Sequence, residues 1–134
     1  MASRSFARRL DALPEVLDCV AGFFEREAIR AVNLFPAQLV AEELFTNLVK
    51  YNPRGSGDLR IDLSRDGDEL VLGLTDGDTE PFDIRNAPEV DTSLPLDDRR
   101  PGGLGIHLVR RFANRIEYTH AGRCGTTTVR RNLE

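Results

Sequence analysis

The order of elements legible in the chain predicts an α+β fold: a two-layer sandwich, with helices on one face of a mostly antiparallel sheet. Three observations carry this. Two apolar stripes with helical spacing come first in the chain. Two pairs of alternating segments follow, each pair joined by turn residues. A long aperiodic segment and one short helical stretch separate the pairs, so helices and strands are segregated rather than interleaved.

Each element has its own reason. Leu13, Val16, Leu17, Val20, Phe23 and Phe24 recur at intervals of three and four, which marks one apolar helix face. Asp11 is the expected cap, and Pro14 suits a first turn. A second helix is predicted from Pro36 to about Val49, with Leu39, Val40, Leu44 and Leu48 at its apolar positions. Residues Asn52 to Gly57 (Asn-Pro-Arg-Gly-Ser-Gly) break it. Leu59, Ile61 and Leu63 alternate with polar residues, and so do Leu70, Leu72 and Leu74. The intervening Arg65-Asp66-Gly67-Asp68 reads as a hairpin turn. From Asp76 to Gly103 the chain holds four prolines and three glycines and shows no periodicity, the mark of a functional or mobile loop. A short helix from Leu104 to about Ala113 is expected next. Two strands, Arg115 to His120 and Thr126 to Asn132, are then expected to be joined through Gly122 and Gly125.

Composition bounds the function. At 134 residues, 40% apolar and 30% charged, the chain is expected to form one domain, residues 1–134, with a core that needs no disulfide support. A net charge of −4 argues against a dedicated nucleic-acid binder. No apolar run approaches the ~20 residues of a membrane span. The Arg4, Arg8 and Arg9 cluster is not followed by the apolar stretch of a signal peptide. Cys19 and Cys124 lack any CxxC or zinc spacing, so a reduced, cytoplasmic setting is expected.

Three features carry chemistry. Glu43 and Asn47 lie four apart on the second helix and so share a face, near Leu39 and Val40. A carboxylate and an amide on a buried face cost energy unless they are paired or hold a ligand. Mg²⁺ on phosphates would suit the Asn carbonyl, and Glu43 would then be free to take a proton from an attacking hydroxyl. The plain alternative is a helix with a polar shoulder in water. The second feature is Gly102-Gly103-Leu104-Gly105-Ile106-His107-Leu108, glycines running into a helix start where free N–H groups favour phosphate. Arg99 and Arg100 stand just upstream. It is neither a P-loop nor a Rossmann fingerprint. The third is the acidic turn Asp76-Gly77-Asp78-Thr79-Glu80-Pro81-Phe82-Asp83, where a carboxylate can accept from the exocyclic amine of adenine with Phe82 nearby.

Glu-x-x-x-Asn on a helix, an Asp turn after a strand and Gly-Gly-Leu-Gly-Ile opening a helix occur here in that order. The arrangement resembles the GHKL ATP-binding superfamily, with its Bergerat-type, histidine kinase-like ATPase fold. Within it, the chain is most similar to the small bacterial anti-sigma factor serine/threonine kinases, over roughly Leu13 to Leu133. The resemblance implies ATP and Mg²⁺ as cofactors. It implies Asn47 as the Mg²⁺ ligand and Glu43 as the base that activates a partner's Ser or Thr hydroxyl. Gly102, Gly103 and Gly105 would line the triphosphate, with Leu104 in the same cofactor-binding stretch and Arg100 placed by its charge to add a contact, and the Asp83 to Pro101 loop would be the lid. Asp76, ahead of Asp78, would contact adenine beside Phe82. Thr126 or Thr127 would reach the adenine side from the last strand. The implied partners are a small antagonist protein, which is phosphorylated, and a sigma factor, which can be sequestered; relatives commonly form homodimers. Two departures stand out. The family's Asp-x-Gly box before Pro-Phe is altered here to Asp76-Gly77-Asp78-Thr79-Glu80, and Tyr51 replaces a frequent His. The altered box keeps a second reading open, a non-catalytic protein-binding regulator on the same fold. A third, the detached catalytic domain of a histidine kinase, would need a phospho-acceptor helix that this chain lacks.

Overall fold

The computed structural model describes residues 1–86 and 103–134. Five strands form one sheet in the order β1-β2-β3-β5-β4, every neighbouring pair antiparallel. They are β1 (Ala2–Phe6), β2 (Leu59–Asp66), β3 (Glu69–Asp76), β4 (Arg115–Ala121) and β5 (Cys124–Asn132). Helices α1 (Leu13–Arg26), α2 (Leu34–Tyr51) and α3 (Gly103–Phe112) pack on one side, as the element order predicts.

The layers meet through complementary periodicities. Val16, Val20, Phe23 and Phe24 are the buried stripe of α1. Ala37, Val40, Ala41, Leu44, Phe45 and Leu48 form that of α2. Against them the sheet presents Leu59, Ile61 and Leu63 from β2 and Leu70, Leu72 and Leu74 from β3, all buried in the same cluster. The opposite face is polar: Arg60 pairs with Asp62 there, and Thr75 shares a hydrogen bond with Thr126. Among the described residues, no helix is long and apolar enough to cross a membrane.

Four details depart from expectation. β1 was not foreseen. Within Ala2–Phe6 only Phe6 enters the core, so no alternating pattern forms, and the strand exists because β2 offers it a free edge. Asp11 does not cap α1. A 3₁₀ turn over Leu10–Ala12 intervenes, Ala12 occupies the cap position, and Asp11 pairs with Arg9 in solvent. Helix α2 is longer than expected at both ends. Pro36 sits inside its first turn, where a missing N–H costs no intrahelical bond.

The fourth concerns Gly125, which is not part of the closing turn. That turn is Gly122-Arg123, with Gly122 at φ 62°, and Gly125 lies within β5 opposite His120. A Cβ at Gly125 would stand 2.9 Å from Tyr118 Oη and 3.2 Å from Thr79 Cγ2. Tyr118 is pinned because its hydroxyl accepts the Phe82 N–H at 2.8 Å. Gly125→Ala is therefore expected to cost about 1–3 kcal/mol of unfolding free energy, read as a lowered urea midpoint.

Candidate functional site

The C-terminal end of α2, the end of β3 and the turn between α2 and β2 converge on Asp76. Its register position opposite Gly125 places it on the helix-covered face, and its side chain is 1% exposed. Arg8 meets it in a forked pair, Nη1 to Oδ2 and Nη2 to Oδ1, both at 2.7 Å. Asn52 Nδ2 donates to Oδ2 at 3.2 Å, and the Asp78 N–H donates to Oδ1 at 2.9 Å. Each oxygen thus accepts two bonds, which is about the full capacity of a carboxylate.

Arg8 is equally committed. Nε donates to the Gly57 carbonyl at 3.3 Å, Nη1 also to the Asn52 carbonyl at 3.3 Å, and Nη2 also to the Ser56 carbonyl at 3.1 Å. Every N–H of the guanidinium is used. Gly55 makes this possible, since a Cβ there would stand 2.7 Å from both Cζ and Nη1 of Arg8.

Burial alone would push the Asp76 carboxyl up. The bonds from Arg8, the Asp78 backbone and Asn52 outweigh burial and hold it below the usual carboxylate value of 3.8. Asp78 has a different environment. Arg123 Nε reaches it at 2.6 Å, as does the Ser56 N–H, and together these hold it down to about 2. A carboxyl lowered on folding contributes stability that is present above its unfolded value and lost as pH falls through its folded value. The urea midpoint is therefore expected to fall as pH drops from about 3.8 toward about 2, and less steeply in Asp76→Asn.

The rest of the acidic turn is stitched to the β4–β5 hairpin. Arg123 Nη1 contacts Glu80 at 2.8 Å, the Thr79 N–H donates to the Arg123 carbonyl at 2.8 Å, and His120 Nε2 lies 2.8 Å from the Thr79 carbonyl. Phe82 stacks on Tyr51, with ring centroids 4.0 Å apart and planes inclined by 18°. Of the two candidate threonines, Thr126 bonds Thr75 on the far face and does not join Asp76. Thr127, one residue on, is buried on the Asp76 face, as the two-residue period of a strand requires.

On α2, Asn47 is 5% exposed, and its Nδ2 is the buried side-chain polar atom without a partner among the described residues. An amide left so costs about 1–3 kcal/mol. Its two ends are related by a flip, so a carbonyl fits the same place. Glu43, one turn earlier, is half-buried. It lines a cavity of about 180 Å³ between α2 and α3, with Leu39, Val40, Leu108, Val109 and Phe112. Burial pushes the Glu43 carboxyl up, neighbouring Glu42 adds to this, and Lys50 opposes it. The backbone of Gly103, Leu104 and Gly105 forms the first turn of α3. Arg100 and Gly102 lie outside the described residues. Among the described residues no group of His, Cys, Asp or Glu forms an all-protein metal cage.

The arrangement thus brings Asp76, Asp78 and Phe82 together at one end of α2, with Glu43 and Asn47 further back along the same helix. Sequence reasoning missed Arg8 and Asn52, which hold Asp76, Gly55, which leaves room for the Arg8 side chain, and Arg123, which holds Asp78. None of these has a spacing signal, and Arg8 stands in a basic cluster indistinguishable from a solvated arm.

A family model for the histidine kinase-like ATPase domain matches residues 6–131. Among solved structures, a chain of the SiaB-SiaC complex from Pseudomonas aeruginosa is similar, with a TM-score of 0.68 at 12% identity, over 97% of this chain and 88% of that one. The histidine kinase AdeS of Acinetobacter baumannii aligns with a TM-score of 0.50 at 16% identity, over 100% of this chain and 68% of that one. Among curated proteins, none matches the sequence. The two structural likenesses speak for the fold. The family match spans nearly the whole chain, and the chain belongs to the histidine kinase-like ATPase domain family.

Proposed function

We propose that the chain is an ATP-dependent regulator that phosphorylates a small antagonist protein on Ser or Thr and can sequester a sigma factor. The observation that carries this is Asn47, a buried amide with an unmet polar atom, one helical turn from a half-buried Glu43. A structural pair would satisfy itself, whereas this one is left open. Asn47 would hold Mg²⁺, and the first-turn N–H groups of α3 from Gly103 to Gly105 would take the triphosphate. Bound Mg²⁺ would supply charge neutralisation on the phosphates. Glu43 would accept the proton of the attacking hydroxyl, a role that its raised carboxyl value favours. Asp76 would read the base. The SiaB-SiaC structure, in which two proteins form a complex, supports a protein partner as the target.

A second reading has its own observation. Asp76 is saturated by Arg8, Asn52 and the Asp78 N–H. That state favours a non-catalytic binding module with weak nucleotide affinity. Calorimetric titration with ATP, with and without Mg²⁺, separates the two. The leading reading expects Mg²⁺-dependent binding that weakens about tenfold or more in Asn47→Ala, the range seen when one metal-site residue is lost. Absence of binding up to millimolar ATP would leave the binding module.

A further inference from the structure

We propose that Arg8 is a latch on the base-reading carboxylate: ATP binds by displacing Arg8 from Asp76, so the N-terminal segment sets nucleotide affinity. This rests on the proposed role of Asp76.

Acceptor capacity at Asp76 is already filled. The exocyclic amine of adenine must donate to a carboxylate oxygen, and both Asp76 oxygens already accept two bonds each. A donor has to leave first. The Asp78 N–H is fixed by the turn, and Asn52 Nδ2 is also bound to the Asp78 carbonyl. Arg8 supplies two of the four bonds and comes from a separate segment, 68 positions away in sequence.

Apart from Arg8 itself, that segment is held by pairing to β2 and by one buried side chain, Phe6. Arg8 lies between β1, a five-residue edge strand with only Phe6 buried, and the 3₁₀ turn over Leu10–Ala12. Its remaining acceptors include the Ser56 and Gly57 carbonyls, which belong to exposed residues and can turn to water. Leaving each Asp76 oxygen with one of its two donors, and the buried charge without its guanidinium, is the costly part of release, and an incoming amine lowers that cost. Release and adenine binding are therefore coupled, and the apparent affinity falls with the fraction of chains still latched.

The test is titration of the full chain with Mg²⁺·ATP and, separately, with Mg²⁺·ITP, whose base carries a carbonyl where adenine carries the amine. Arg8→Gln is expected to bind ATP about fivefold or more tightly than the wild type, with ITP affinity unchanged. Arg8→Lys, which keeps the charge but not the fork, is expected to fall between them and serves if Arg8→Gln does not fold. In the wild type, ATP is expected to accelerate amide exchange in β1 and residues 52–57. Equal or weaker ATP binding by folded Arg8 variants would overturn the latch and leave the nucleotide reading standing. A gain shared equally by ITP would also overturn it. Failure of the wild type and both variants to bind either nucleotide would overturn the latch and the nucleotide reading together.

Discussion

Replacing Glu43 with glutamine lowers phosphoryl transfer about 10²–10⁴-fold on the proposed mechanism, with ATP affinity nearly unchanged. The substitution conserves shape and removes the proton acceptor alone. Glu43 has no hydrogen bond or ion pair to its carboxylate among the described residues, so no structural partner is lost. Its environment is that of the cavity between α2 and α3, lined mostly by Leu39, Val40, Val109 and Phe112. Burial there, with Glu42 alongside, raises its carboxyl above 4.5 and brings its proton affinity nearer to neutrality. The base must be ionised to act, so the wild-type rate should rise with pH through that raised value and then level off. Initial rates of label transfer from the γ-phosphate of ATP to a partner protein measure this. Acid-stable label identifies Ser or Thr, since phosphohistidine is lost in acid. A Glu43→Gln rate equal to wild type would remove Glu43 from the chemistry.

Arg8→Ala is expected to lower the unfolding free energy by about 3–5 kcal/mol, the range for breaking a buried pair by deleting one partner. The scale follows from burial: the two side chains are 5% and 1% exposed, so solvent screens little of what is lost. Two features sharpen the expectation. In the variant, burial acts on Asp76 without the opposing guanidinium, so its folded carboxyl value rises. The deficit should then shrink as pH falls below that raised value and the group becomes neutral. Replacing both partners with apolar residues, as in Arg8→Met with Asp76→Leu, should recover much of the loss, because no charge is left buried. Urea unfolding across pH measures all three. A typical domain holds about 5–15 kcal/mol, so the single variant should stay folded for binding work.

The two predictions draw on sites that differed in legibility. Glu43 and Asn47 are four residues apart on one helix, and local spacing alone puts them on one face. The helices α1 and α2 and the β2–β3 hairpin were legible for the same reason, since burial periodicity is written in adjacent residues. Asp76 could be found because it ends an alternating strand. Its partner could not, because a contact spanning 68 positions leaves no trace in spacing. β1 escaped notice because one buried residue in five makes no pattern. Thr126 and Thr127 are equal candidates in sequence because residue type does not reveal strand phase. The register does: Thr126 lies opposite Thr75 and shares its face. The stacking of Tyr51 on Phe82 appears only when α2 and the acidic turn come together.

The most direct test of the central claim is a crystal structure of the chain with Mg²⁺ and a non-hydrolysable ATP analogue. The adenine amine is expected on the Asp76 carboxylate with Arg8 turned away, and the Asn47 carbonyl on the metal. A nucleotide bound elsewhere, with the Arg8–Asp76 pair intact and Asn47 still without a partner, would contradict it.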